Sequence, residues 1–169
     1  MFKRILVPVD GSPTANRGLR TAIALAQDQR CPLELLHVVD ELMIAPLGEG
    51  GTYLSMEHVA TFLAAMRQQG ERVLRRAEAL ADKAGVPHRA VLVEAAGGPV
   101  SDRIVAHAKR CSADLIVLGT HGRRGLARIV MGSDAEGVVR TSSVPVLLVR
   151  SRAAAASQRN ASARRSTNS

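Results

Sequence analysis

A chain of 169 residues and 17.9 kDa has room for one domain and a short appendage, and a body near that size can close its own core without disulfides or a structural metal. With 46% hydrophobic and 22% charged residues it has the balance of a folded soluble protein, which excludes disorder along the whole length. The net charge of +8 is uneven: residues 151–169 hold four arginines and no acid, leaving +4 on residues 1–150 from nineteen basic and fifteen acidic side chains.

Ile5-Leu6-Val7-Pro8-Val9 reads as a first strand. Asp10 interrupts it too early for a signal peptide, and no stretch of the chain reaches the length of a membrane span, so neither secretion nor a membrane partner is expected. Asp10-Gly11-Ser12-Pro13 ends the strand, with Ser12 placed to cap a helix and Pro13 suited to its first turn. Leu19, Ala22, Ile23 and Ala26 give that helix one apolar face. Leu33 to Val39 predicts the second strand, followed by a loop over 40–54 punctuated by Pro46, Gly48, Gly50 and Gly51.

A long helix is predicted from about Ser55 to Ala84, with Val59, Phe62, Leu63, Met66, Val73, Leu74, Ala77 and Leu80 as its stripe and Gly85 as its stop. Arg89 to Glu94 reads as strand three. The helix after Gly98-Pro99 carries Val100, Ile104, Val105 and Ala108 on its inner face. Leu115 to Leu118 has the all-apolar pattern of a strand covered on both sides. A glycine-rich loop then leads to a last helix from about Ser133 and a fifth strand, Val146 to Val149.

Strands alternating with helices imply right-handed crossovers and a single open five-stranded parallel sheet flanked by helices, a Rossmann-like α/β domain over residues 1–150. In such sheets ligands bind beyond the carboxyl ends of the strands, where strand order reverses, which directs attention to Asp10, the end of strand two and the loop after Leu118. Residues 151–169 carry no Leu, Ile, Val or aromatic side chain to offset the entropy of ordering and read as a disordered basic tail. A solvated terminus is the simplest reading of that tail, with weak contacts to nucleic acid as its alternative. Only Phe2, Tyr53 and Phe62 are aromatic, too few for a base-stacking platform, so no other nucleic-acid contact is expected.

In Gly119-Thr120-His121-Gly122-Arg123-Arg124-Gly125, running on to Gly132-Ser133, glycines permit close backbone approach and positive φ angles ahead of a helix start. The unpaired amides and positive dipole end of such a helix suit phosphate. No Gly-Lys-Ser/Thr follows, and the spacing is not the dinucleotide G-x-G-x-x-G. Gly119-x-x-Gly122, nine residues, then Gly132-Ser133 resembles the nucleotide-binding signature of the universal stress protein family. Ile5 to Ser12, Leu36-His37-Val38-Val39-Asp40, Ala113 to Gly119 and Val144 to Val149 resemble the same family, so the likeness spans residues 2–150.

The resemblance implies a fold of the adenine-nucleotide alpha-hydrolase type, a homodimer paired through the last strand, and a cytoplasmic role in stress or dormancy. One branch of the family binds ATP and another does not. Carried over residue by residue, it implies that backbone around Pro8, Val9 and Val38 reads adenine, with Asp10 beside the nucleoside or a Mg2+ ion. Gly119, His121 and Gly122 then line ribose and phosphates, with Arg123 in the same segment, and the amides of Gly132, Ser133, Asp134 and Ala135 hold the phosphate chain. Asp10 has a second reading, as a helix-start residue bonding free amides.

Ser133-x-x-Glu136 also fits a capping box, which would occupy those amides with the helix's own side chain. Asp134 stands where the family has an uncharged residue, and with Glu136 it would repel a triphosphate, although Arg123, Arg124 and Arg128 leave residues 119–136 at +1. The histidines form no metal set, His37 and His107 read as packing or surface residues, and Cys31 and Cys111 read as inert thiols. No catalytic residue and no metal site is assigned. The expected function is ATP binding by a nucleotide-responsive regulator; a nucleotide-free dimeric interaction protein and a slow ATP hydrolase are the alternatives.

Overall fold

The structure is a computed structural model that describes residues 1–40, 56–95, 98–120 and 131–150. Its elements follow the predicted order: β1 (Ile5–Pro8), α1 (Pro13–Gln29), β2 (Leu33–Val39), α2 (Met56–Lys83), β3 (His88–Glu94), α3 (Val100–Arg110), β4 (Leu115–Gly119), α4 (Ser133–Thr141) and β5 (Val146–Val149). The tail at 151–169, the loop at 41–55 and the glycine segment 121–130 lie outside the described residues.

Five parallel strands form one sheet in the order β3-β2-β1-β4-β5. Alternation along each strand sends successive side chains to opposite faces. Ile5, Val7, Leu33, Leu35, Leu115 and Val117 meet Leu19, Ala22 and Ile23 of α1 and Val73, Leu74 and Ala77 of α2. On the other face Leu6, Leu36, Ile116 and Leu118 meet Ile104, Val105 and Ala108 of α3 and Ala135 and Val138 of α4. Two helices on each face of a parallel sheet make it a three-layer α/β domain.

Local signals set the boundaries. Ser12 caps α1, its Oγ accepting from Ala15 N at 3.1 Å, and Gly85 ends α2 with φ +67°. Strand one stops one residue short of the predicted Val9, whose N–H nevertheless donates to Leu36 O at 2.8 Å.

The stripe predicted along α2 is buried only in its second half, at Val73, Leu74 and Ala77, while Phe62 remains 40% exposed. Length explains the difference: 28 helical residues reach roughly 42 Å, whereas strands of four to seven residues span roughly 13–23 Å. The first turns of α2 therefore run past the sheet. Among the described residues no helix is long and apolar enough to cross a membrane.

Candidate functional site

The chain leaves β1 toward β2 on one side, while α3 brings it back to lay β4 on the other side of β1. Strand order thus reverses between β1 and β4, and a crevice at their carboxyl ends follows from that topology. Pro8, Val9 and Asp10 leave β1 at this rim, Val38 lies near the end of β2, and Gly119 ends β4. Gly132 N donates to Thr120 O at 2.9 Å, which ties the start of α4 to the same rim and brings Ser133, Asp134 and Ala135 with it. Nine of the twelve predicted site residues are thereby gathered along one edge. The other three, His121, Gly122 and Arg123, lie outside the described residues.

Several of these residues also serve the fold. Asp10 Oδ1 accepts from Ser12 N at 2.8 Å, the helix-start role that sequence reading kept open beside a ligand role. Val9 O lies 2.6 Å from His37 Nδ1; a carbonyl can only accept, so Nδ1 carries the proton. The Val9 N–H is used as well, donating to Leu36 O, so both main-chain polar groups of Val9 have partners within the fold. His37 is buried, as a packing histidine should be.

The structure sharpens two readings of the glycine segment. Glycine permits positive φ, but neither Gly119 nor Gly132, the described glycines of the segment, uses it. Gly119 is required by packing: a Cβ there would lie 2.7 Å from Thr14 C and 2.9 Å from Ala15 N in the first turn of α1. Ser133 is not the capping residue either. Gly132 is the N-cap, at φ −63° and ψ 148°, and no side chain caps the helix. A capping box needs its Ser at N-cap and its Glu at N3, so Ser133 and Glu136 sit one position too late. The dipole end of α4 is left with two exposed acids, Asp134 and Glu136, in its first turn.

Comparison with known proteins decides the family. The universal stress protein family model matches residues 1–150. The chain belongs to the universal stress protein family. It is 33% identical to universal stress protein YxiE of Bacillus subtilis over 151 residues, covering 89% of this chain and all of that one. In structure it is similar to MJ0577 of Methanocaldococcus jannaschii, with a TM-score of 0.77 at 27% identity over 90% of this chain and 98% of that one. It is also similar to a universal stress protein from Archaeoglobus fulgidus in complex with dAMP, with a TM-score of 0.61 at 25% identity, covering 87% and 97% of the two chains.

Sequence reading of this universal stress protein missed a cluster at the opposite edge of the sheet. Glu34, second residue of β2, faces α3, and its Oε1 lies 2.9 Å from His107 Nε2 with both side chains 4% exposed. Arg110 Nη2 lies 2.6 Å from His107 Nδ1, and Cys111 follows at the end of α3. A guanidinium only donates, so Nδ1 accepts and Nε2–H donates to Glu34. The signal available beforehand was the spacing of His107 and Cys111, four apart and hence on one helix face. Both cysteines are buried, and burial is the main cause raising their thiol pKa values, with the charge of Asp114 adding at Cys31.

Proposed function

We propose that this universal stress protein binds an adenine nucleotide in the crevice between β1 and β4, with ATP as its ligand, and acts in the cytoplasm as a nucleotide-responsive regulator of the stress response. The observation that carries the reading is the start of α4, a helix N-terminus capped only by Gly132 and hydrogen-bonded onto the end of β4. Amides and dipole there suit phosphate, and the related Archaeoglobus protein in complex with dAMP supports adenine as the base. A Mg2+ ion accompanying the phosphates would meet the Asp10 carboxylate.

Binding rather than turnover is the proposed activity, with slow ATP hydrolysis as its upper limit. Nucleotide can shift partner contacts only by its differential affinity for two arrangements of the chain. The proposed arrangement is a homodimer joined along β5, an edge strand whose Leu147 is 37% exposed. Asp134 and Glu136 favour the second reading, a nucleotide-free interaction protein of the same fold.

Mass spectrometry of small molecules released from gently purified protein separates the two: an adenine nucleotide in near-stoichiometric amount is expected, and its absence favours the second. Asp134→Ala is then expected to tighten ATP about threefold by calorimetry, the scale of one surface charge at a helix start. An equal or weaker affinity would show that repulsion does not operate there.

A further inference from the structure

We propose that Glu34, His107 and Cys111 form a binding site for a transition-metal ion, with Zn2+ the ion whose preferences the donors match. The three residues are buried, and their donor atoms (carboxylate oxygen, imidazole nitrogen and thiol sulfur) all lie within 4.8 Å of one another. They come from two elements packed together: β2, an inner strand between β3 and β1, and the last turn of α3. A mixed O, N and S set suits borderline-soft Zn2+, whereas Mg2+ and Ca2+ reject a thiolate. Tetrahedral Zn2+ places its ligands roughly 3.3–3.7 Å apart, so Glu34 Oε1 and His107 Nε2, now at 2.9 Å, need to part by less than about 1 Å.

Access comes from an independent feature. A surface cavity of about 180 Å³ lies at the amino-terminal ends of β2 and β3, lined by Arg4, Pro87 and Arg89 among others, and Glu34 forms part of its wall. Binding releases the Cys111 thiol proton to solvent and moves the ring proton of His107 from Nε2 to Nδ1. Arg110, whose guanidinium now occupies Nδ1, is exposed and free to swing out. Three protein ligands leave a fourth position for water. The cluster lies roughly 16 Å along β2 from the nucleotide rim, so the two sites stand or fall separately.

A purely structural hydrogen-bond network joins Glu34, His107 and Arg110, while the Cys111 thiol donates to Ala108 O at 3.6 Å; the test separates that reading from a metal site. The full chain, stripped with EDTA, is titrated with Co2+. One equivalent is expected to bind, with a thiolate-to-cobalt charge-transfer band in the near ultraviolet that Zn2+ bleaches. Cys111→Ser should remove the band, and Cys31→Ser should keep it. Arg110→Ala should bind Co2+ about tenfold more tightly, because the competing guanidinium is gone.

Loss of the band in Cys31→Ser or its survival in Cys111→Ser would overturn the proposal. So would the absence of any band in both the parent and Arg110→Ala with circular dichroism unchanged, or weaker binding in Arg110→Ala. Should Cys111→Ser fail to fold, the Cys31→Ser and Arg110→Ala arms still decide.

Discussion

Gly132→Asp is expected to weaken ATP about a hundredfold while leaving the melting temperature unchanged or slightly raised. Gly132 already has the extended φ and ψ of an N-cap residue, so a side chain there meets no backbone strain. An aspartate at that position accepts hydrogen bonds from the second and third amides of α4, the donors a phosphate would use, and adds a negative charge beside them. Loss of charge-assisted hydrogen bonds worth about 1.5–3 kcal/mol gives the expected fold-change. The helix itself gains a few tenths of a kcal/mol over glycine.

Gly132→Asn separates occupancy from charge. It fills the same amides without repelling phosphate, and about a tenfold loss is expected. Calorimetry and a thermal melt on the two variants check the result. Undiminished ATP affinity in Gly132→Asp would remove the start of α4 from the site.

Gly119→Ala should act on the fold first. Its Cβ would fall 2.7 Å from Thr14 C and 2.9 Å from Thr14 O, and these are backbone atoms of a capped helix turn that cannot rotate away. Either α1 or the end of β4 has to move, at a cost of about 3 kcal/mol and a Tm lower by roughly 10 °C. The same shift carries Ser12 and Asp10 with it, so nucleotide affinity should fall as stability does. A Tm within about a degree of the parent would mean that α1 does not pack on Gly119 as described.

Most of the architecture was legible in the residues. Runs such as Leu115-Ile116-Val117-Leu118 and the punctuation at Ser12-Pro13 and Gly85 are local signals, and local signals are what a sequence displays. The last helix was read from about Ser133, where α4 does begin, but the capping-box alternative, which needs Ser133 at N-cap, falls one position late. In the folded chain the bond from Gly132 N to Thr120 O sets where the helix begins, and that bond joins residues twelve apart. The packing demand on Gly119 could not be read beforehand, because the residue that imposes it, Thr14, is about a hundred positions away. The Glu34–His107 contact joins residues 73 apart, beyond any periodicity. The uncovered front of α2 escaped notice because an apolar stripe shows which face is greasy, not how far the sheet beneath extends.

Thr120 has a wider consequence. Its N–H donates to Val149 O at 3.0 Å, while its carbonyl accepts from Gly132 N at 2.9 Å. One residue is thus hinge pin for both the outermost ribbon of the sheet and the collar of the last helix. If the proposed nucleotide seats against the collar and is felt at the ribbon, a partner pairing with the ribbon would be felt at the collar by the same free energy, as reciprocity demands.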